Sequence, residues 1–307
     1  MRNTFIETLL ELAEEDPNLW LLNGDLGFSV LEPFMKKHAD RYVNAGVAEQ
    51  NMAGMAAGIA LSGKTVFFYS IGNFPTLRCL EQIRNDICYH GADVKVVAVG
   101  AGYSYGSQGY THHALEDVSA LSALPGLEIF TPCDPAETRE ATRLIAKSGK
   151  PSYLRLARAG EPVLGKGPVG DVRKIRFLRE GKGLLVLASG PVASIAIEAS
   201  EKLASQGIEL AVASVSCMKP LDESFLKTVA AKAPLIITLE EHVRTGGLYA
   251  AVASVLAGEV NRPRILSMAA PEPAGKISTA GSREWQLDKV GLTSERLIAL
   301  IQSANAS

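Results

Sequence analysis

Strand-length apolar runs alternate with helix-length amphipathic segments along most of this chain. The strands predicted for the first half are Leu19–Asn23, Val43–Gly46, Thr65–Ser70, Val94–Gly100, Glu128–Thr131 and Ser152–Leu156. Those predicted for the second half are Leu184–Ser189, Leu210–Val215, Leu235–Leu239 and Ile265–Met268. Helices are predicted between these strands, among them Thr76–His90 and Pro135–Ala146, the second with Asp134 as its cap. Strands that alternate with helices form mostly parallel sheets whose two faces are covered by the helices. The sequence therefore predicts an α/β fold made of two three-layer α/β/α domains with mostly parallel sheets.

A segment rich in glycine and proline interrupts this alternation near the middle of the chain. It occupies residues 159–176, and a basic stretch follows its glycines and prolines. Such composition is typical of a connection between domains. The 307 residues are also about twice the ~150 expected for one domain. We therefore predict a first domain over residues 1–165, a linker over 166–180 and a second domain over 181–307.

Composition and charge exclude several classes of protein. Hydrophobic residues make up 47% and charged residues 21%, which is typical of a folded globular chain and not of a disordered one. The net charge is −2 with scattered basic residues, so no nucleic-acid-binding surface is indicated. No apolar run approaches the roughly 20 residues of a membrane span. Four cysteines without a Cys-x-x-Cys pair, and no signal-peptide pattern, indicate free thiols in the cytoplasm.

The segment NAGVAEQNM, residues 44–52, is the most informative part of the sequence for chemistry. A short strand ends there, and a helix of small apolar residues begins. Glu49 stands alone as a carboxylate at the start of that helix. One interpretation is that Glu49 only complements the positive end of the helix at the surface. The other is that its apolar surroundings hold a carboxylate for a ligand.

This segment resembles the pyrimidine-binding domain of transketolases, which use thiamine diphosphate. In that family a GVxEQNM-type string carries the glutamate that activates the cofactor, and Glu49 is its counterpart. The resemblance implies that Glu49 contacts N1′ of the aminopyrimidine and favours its imino tautomer, while the cofactor supplies the difficult chemistry. The string DLGFS, residues 25–29, resembles the family's ADLxPS and implies a cofactor contact for Asp25.

Two further strings follow in the order that the family has them. FFYSIGNF, residues 67–74, precedes EQIRN, residues 81–85. Transketolases place three aromatic residues, spaced by three, before the corresponding helix, and these positions would be Ile71, Phe74 and Leu77. Only Phe74 is aromatic, so we expect it to stack on the aminopyrimidine, with Ile71 and Leu77 as apolar walls. The competing interpretation makes Phe74 an ordinary core residue.

The loop GSQGYTHH, residues 106–113, resembles the transketolase string GEDGxTHQ. The resemblance implies that His112 hydrogen-bonds the oxygens of the donor substrate. Two positions depart from the family: Gln108 replaces an acid that reads the C2 hydroxyl of the donor, and Gly100 replaces a second histidine. We therefore expect altered substrate recognition at this loop. A metal site on the adjacent histidines is disfavoured, because neighbouring side chains usually diverge.

Three residues match positions that bind the substrate phosphate in transketolases: Arg2, Ser29 and Arg158. A pair of arginines suits a terminal phosphate because each guanidinium can donate two parallel hydrogen bonds. This predicts a phosphorylated or similarly anionic sugar. The alternative is that Arg2 belongs to a disordered terminus and Arg158 to a solvated linker.

One transketolase element has no counterpart in this sequence. The family's Gly-Asp-Gly segment, which holds Mg²⁺ against the cofactor diphosphate, is absent from residues 1–307. The resemblance therefore implies a split transketolase in which a separate N-terminal subunit supplies the diphosphate-binding domain and the Mg²⁺ ligands. Two chains of each kind would form a heterotetramer.

Three competing functions stay open at this point. The β subunit of a 2-oxo-acid dehydrogenase decarboxylase has a similar length and domain order, and deoxyxylulose-phosphate synthase is similar but normally one long chain. A non-catalytic paralogue that kept the fold would use neither Glu49 nor His112. Transfer of a two-carbon ketol unit from a ketose to an aldose, without pyruvate, would favour the transketolase interpretation.

Overall fold

The first part of the chain folds around a seven-stranded sheet. The computed structural model describes residues 1–27, 30–272 and 280–305. The strands of this sheet are β1 (Leu19–Asn23), β2 (Tyr42–Asn44), β3 (Thr65–Ile71), β4 (Val94–Val99), β5 (Glu128–Phe130), β6 (Ser152–Leu156) and β10 (Cys217–Lys219). They have the order β10-β5-β6-β4-β3-β1-β2 across the sheet, and all neighbours are parallel except β10 and β5.

A second sheet of five strands follows. Its strands are β7 (Arg176–Arg179), β8 (Leu184–Ser189), β9 (Leu210–Ser214), β11 (Leu235–Val243) and β12 (Arg264–Ala270). They have the order β12-β11-β8-β9-β7, and only β7, at one edge, runs antiparallel to its neighbour. The second half of the chain is thus another mostly parallel α/β unit.

Helices cover both faces of the first sheet. The side chains of β3 alternate in direction, as strand geometry requires. Phe67 packs with Phe5 and Leu9 of the first helix, whereas Phe68 packs with Met52 and Ala56 on the opposite face. The α-helices are α1 (Arg2–Glu15), α2 (Glu32–Lys37), α3 (Glu49–Leu61), α4 (Leu80–Gln82), α5 (Asp117–Ser122), α6 (Pro135–Ala146), α7 (Ala193–Ala204), α8 (Glu223–Ala230), α9 (Leu248–Leu256), α10 (Arg283–Val290) and α11 (Ser294–Asn305). The predicted α/β fold class is confirmed.

The single helix predicted over residues 76–90 is wrong in its geometry. The structure has a 3-10 turn at Leu77–Cys79, the short helix α4, and then a π-helical stretch at Ile83–Cys88. A π-helical stretch inserts an extra residue into a helical turn and is frequently found at functional sites. These three pieces together are called the mixed helix below.

Two short strands escaped the sequence-based prediction. Arg176–Arg179 lies inside the predicted linker but forms the edge strand β7. Cys217–Lys219 leaves the second unit and pairs with β5 of the first sheet. Both are short edge strands with little alternation, so the local pattern does not reveal them. The domain bounds given above stay a prediction.

A buried network of charges joins the two units. Arg155 of β6 donates to Asp117 at 2.8 Å and to the carbonyl oxygen of Glu241 at 3.0 Å. Across the same junction, the backbone N–H of Ser119 donates to His242 Nε2 at 3.4 Å, while His242 Nδ1 lies 2.7 Å from the carbonyl oxygen of Val243. This pattern fits a neutral imidazole, in keeping with burial that lowers the pKa of His242 to about 4.

Within the described ranges, no helix is long and apolar enough to cross a membrane. The four cysteines are free and buried. Burial raises the pKa of Cys79 to about 12 and that of Cys88 to about 11, so both thiols stay protonated at neutral pH.

Candidate functional site

The residues singled out in the sequence gather at one edge of the first sheet. Asp25 follows β1, Glu49 follows β2 and Phe74 follows β3, and these strands are neighbours in the order β3-β1-β2. The loop with His112 follows β4, and Arg158 follows β6. Ligands of open α/β sheets bind outside the carboxyl ends of the strands. Because all of these strands are parallel, the segments that follow them lie at the edge of the sheet where a ligand would bind.

Glu49 starts helix α3 and is almost entirely buried, with 2% of its surface exposed. The helix packs closely on the sheet because its inner face carries small residues, including Ala53, Ala56 and Ala57. A Cβ atom at Gly24 would lie 3.7 Å from Cγ of Glu49 and only 3.2 Å from Cε of Met52. The missing side chain at Gly24 thus leaves room for the side chain of Met52, one turn along α3 from Glu49.

An arginine that sequence reasoning missed connects Glu49 to Phe74. Arg78 donates from one guanidinium nitrogen to Oε2 of Glu49 at 2.7 Å. The same guanidinium carbon lies 4.6 Å from the centroid of the Phe74 ring. His112 contacts Phe74 edge-on, with ring centroids 5.2 Å apart. Glu49, Phe74 and His112 are therefore brought together, with Arg78 as the link.

This group of side chains fits the aminopyrimidine of thiamine diphosphate. A buried carboxylate and an adjacent aromatic face already hold a flat nitrogen cation, the Arg78 guanidinium. The aminopyrimidine presents a similar flat N–C–N edge, which can hydrogen-bond a carboxylate and stack on a ring. A metal ion has no such set of ligands here, since no group of three or more His, Cys, Asp or Glu residues that could hold a metal ion occurs in the part of the chain that the structure describes.

Other predicted cofactor contacts line the same edge without joining this group. Asp25 is exposed, has a φ of 54° and accepts a hydrogen bond from Asn44 at 3.0 Å. Ile71 is half-buried, and Leu77 begins the mixed helix with 39% of its surface exposed. Leu77 thus offers an apolar surface to a ligand or a partner, but its contact with the cofactor stays a prediction.

The loop that is predicted to contact the donor substrate forms two 3-10 turns, Gly106–Gln108 and Tyr110–His112. Gln108 is exposed at the end of the first turn. His112 is half-buried, and this burial lowers the pKa of its imidazole. A neutral imidazole at neutral pH can both donate to and accept from a sugar hydroxyl.

A tyrosine fills the space that the family's second histidine would need. Gly100 has a φ of 105°, and a Cβ atom there would lie 2.4 Å from the ring of Tyr105. The same ring lies under the guanidinium of Arg158, 5.6 Å from its carbon to the ring centroid. A histidine at position 100 is therefore incompatible with this loop. Sequence reasoning noted the glycine but did not find Tyr105, five residues further along the chain.

The predicted phosphate residues are only partly described. Arg158 and Ser107 line a cavity of about 460 Å³ between the two units. Arg2 begins helix α1, and the amino group of the preceding Met1 pairs with Glu161 at 2.7 Å beside this cavity. Ser29 lies outside the described residues. The structure thus places the start of α1 near the Arg158 segment, and phosphate binding stays a prediction.

Comparison with known proteins agrees with this architecture. Residues 1–160 match the family "Transketolase, pyrimidine binding domain", and residues 173–297 match "Transketolase, C-terminal domain". A subunit of the apulose-4-phosphate transketolase of Phocaeicola vulgatus is 35% identical over 298 residues, covering 95% of this chain and 94% of that protein. The 6-deoxy-6-sulfo-D-fructose transketolase subunit SqwH of Clostridium sp. strain MSTE9 is 33% identical over 302 residues, covering 97% of this chain and 92% of that protein.

A solved structure described as a split gene transketolase, inactive beta4 tetramer, has the same fold. Its TM-score is 0.88 at 34% sequence identity, and the match covers 99% of this chain and 97% of that one. The resemblance inferred from the Glu49 and Phe74 segments is thereby confirmed over both sheets. The chain belongs to the transketolase family of transferases, with the pyrimidine-binding and C-terminal domains of that family.

Proposed function

We propose that this chain is the C-terminal subunit of a split, thiamine-diphosphate-dependent transketolase. The observation that carries the proposal is the buried Glu49 carboxylate, linked through Arg78 to the ring of Phe74 at the carboxyl edge of a parallel sheet. The assembled enzyme would transfer a two-carbon ketol unit from a phosphorylated ketose to an aldose. When bound, thiamine diphosphate supplies the carbon nucleophile for this transfer.

Each predicted site residue of this chain has a definite role in the proposed reaction. Glu49 holds a proton at N1′ of the aminopyrimidine, and Phe74 supports the ring face. Ile71, Leu77 and Asp25 complete the walls of the cofactor site. His112 orients the oxygens of the donor, and Gln108 also contacts the donor. The residues that bind the phosphate end of the sugar are Arg2, Ser29 and Arg158.

The remaining parts of the site would come from a partner. A separate N-terminal subunit would supply the ligands for Mg²⁺ and the diphosphate of the cofactor. We propose a heterotetramer of two chains of each kind. The buried free cysteines suit a reducing compartment, so we place the complex in the cytoplasm.

A specialised sugar is favoured over a common ketose phosphate. Relatives named for apulose 4-phosphate and for 6-deoxy-6-sulfo-D-fructose align with this chain over more than nine tenths of its length. The ring of Tyr105 replaces the family histidine at position 100, and Gln108 replaces an acid. Both changes alter groups that face the donor, so they favour a donor with a different pattern of hydroxyl groups.

The test uses the complex of this chain with a co-expressed subunit that carries a Gly-Asp-Gly segment. With thiamine diphosphate and Mg²⁺, we expect ketol transfer from one of a panel of anionic ketoses that includes the phosphate ester apulose 4-phosphate and the sulfonate 6-deoxy-6-sulfo-D-fructose. Glu49→Gln should lower kcat at least ~100-fold, because loss of one positioned proton-transfer group costs about that much.

The control is Glu81→Gln on the mixed helix, an exposed carboxylate outside the site, which should leave kcat unchanged. Activity that depends on pyruvate would instead favour deoxyxylulose-phosphate synthase or a 2-oxo-acid decarboxylase. A Glu49→Gln complex as active as the wild type would refute catalysis at this site.

A further inference from the structure

Arg78 contacts both residues that the proposed function assigns to the cofactor ring. Its guanidinium donates to Oε2 of Glu49 at 2.7 Å and lies 4.6 Å from the centroid of the Phe74 ring. No other cation in the part of the chain that the structure describes contacts this carboxylate and this ring together. The guanidinium therefore uses the hydrogen-bond acceptor and the aromatic face that an aminopyrimidine would need.

The two partners of this ion pair differ sharply in burial. The Glu49 side chain is 2% exposed, whereas the Arg78 side chain is 45% exposed. A buried carboxylate without a partner is costly, so Glu49 needs a positive or hydrogen-bonding group beside it. Arg78 meets that need from the solvent side, where its own guanidinium can return to water at low cost.

The backbone of Arg78 is anchored while its side chain is not. The Arg78 N–H donates to the carbonyl oxygen of Asn73 at 3.3 Å, and its carbonyl oxygen accepts from Gln50 Nε2 at 3.1 Å. Among the described residues, the guanidinium donates one hydrogen bond, to Glu49. Rotation of the side chain alone can thus open the Glu49 carboxylate without moving the mixed helix.

We propose that Arg78 is a positioning residue that occupies the aminopyrimidine contacts of Glu49 and Phe74 and is displaced when the cofactor binds. This inference rests on the proposed function, because it takes the cofactor ring to use Glu49 and Phe74. Arg78 keeps the buried carboxylate paired and the ring face covered until then. When the cofactor binds, Glu49 exchanges the Arg78 guanidinium for the aminopyrimidine, so its buried carboxylate always has a hydrogen-bond donor beside it.

The expected competition is modest. A partly exposed ion pair shifts an equilibrium by about fivefold. When only a fraction of the molecules can bind a ligand, the apparent affinity is reduced in proportion to that fraction. Removing the guanidinium should therefore tighten cofactor binding by about fivefold and speed its association.

The first test measures thiamine diphosphate binding to the complex with the diphosphate-binding subunit, using calorimetry and stopped-flow fluorescence. Arg78→Met keeps the length of the side chain but loses the charge, and we expect its Kd to fall about fivefold with faster association. The matched control is Arg84→Met, an exposed arginine of the same mixed helix that donates to Asn85 at 2.6 Å, and it should change neither value. An unchanged or weaker affinity in Arg78→Met would overturn the inference.

The second test needs no cofactor and no partner. A double-mutant cycle of Glu49→Gln and Arg78→Met in urea unfolding of this chain should show about fivefold coupling in the unfolding equilibrium constant. The cycle with Arg84→Met in place of Arg78→Met should show none. Absence of coupling overturns the inference on its own, whereas a wild-type complex that fails to bind thiamine diphosphate overturns the proposed function but leaves the ion pair intact.

Discussion

Two arginine–carboxylate pairs of this protein share their chemistry but differ in burial and in the number of hydrogen bonds around the arginine. Arg155 and Asp117 lie at the junction of the two units, with side-chain exposures of 3% and 0%. Arg78 and Glu49 lie at the ligand-binding edge, with exposures of 45% and 2%. The N–O distances are nearly equal, 2.8 and 2.7 Å. Distance therefore says little about what each pair contributes.

The number of hydrogen bonds around each arginine distinguishes a permanent pair from an exchangeable one. Arg155 also donates to the carbonyl oxygens of Ala114 and Glu241, at 2.6 and 3.0 Å, and Tyr153 donates to Asp117 at 2.5 Å. The Arg78 guanidinium donates one such bond within the described part of the chain. A cation held by three acceptors stays in place, whereas a cation held by one can be replaced by a ligand.

The largest effect is expected from Arg155→Met. It leaves Asp117 buried without its cation, and loss of one partner of a buried pair costs about 3–5 kcal/mol. Burial acts to raise the pKa of Asp117, but Arg155, His242 and Tyr153 outweigh it and hold that pKa below its usual value. Urea unfolding measures the loss. The control is Arg139→Met at the surface, where Glu11 is its partner and where little should change; a loss for Arg155→Met no larger than this control would contradict the comparison.

The second effect concerns pH at the domain junction. Burial lowers the pKa of His242 to about 4, so its contribution to stability is present near neutral pH and is lost as the pH falls from about 6.5 to about 4. Burial raises the pKa of Glu240 to about 7, so stability is lost in the opposite direction, as the pH rises from about 4.5 to about 7. Between about pH 4.5 and pH 6.5, the two groups therefore change the free energy of unfolding in opposite directions as the pH changes.

Each slope should appear when the other group is removed. In Glu240→Gln the free energy of unfolding should fall on acidification from pH 7 to pH 4, by about 3 kcal/mol at most, since one pKa unit corresponds to about 1.4 kcal/mol. In His242→Gln it should fall as the pH rises through the same range. Unfolding titrations at several pH values give both slopes, and equal slopes in the two variants would exclude this account of the junction.

The sequence predicted elements whose signals are local. Helix α6 begins with the capping residue Asp134, whose carboxylate accepts from the backbone N–H of Glu137 at 2.8 Å, and its bounds match the prediction. Strand β1 was predicted with its observed bounds because its apolar run is bounded by polar residues. The π-helical part of the mixed helix was not predicted, because packing rather than local propensity decides how that helix is wound.

The same limit applies to the candidate site. Glu49, Phe74 and His112 were found because their strings resemble a family, and the structure brings them together. Arg78 was not found, since the contact of its guanidinium with Glu49, 29 residues away in the sequence, is a tertiary contact. Tyr105 escaped for a similar reason, because only the folded loop shows that its ring covers Gly100.

The smallest effect is expected from the same substitution at the exchangeable pair. Arg78→Met removes a cation whose side chain is 45% exposed, and water can reach Glu49 once the guanidinium has gone. Pairs of this kind contribute about 1 kcal/mol or less to stability.

Salt screens exposed charges, so raising NaCl to about 1 M should reduce the difference between Arg78→Met and wild type. The Arg155→Met difference should persist at that salt concentration, because a pair without contact to solvent is screened much less. If Arg78→Met instead destabilised the chain as much as Arg155→Met and without salt dependence, the Glu49 pair would be structural, and the cofactor could not displace its cation without loosening the fold.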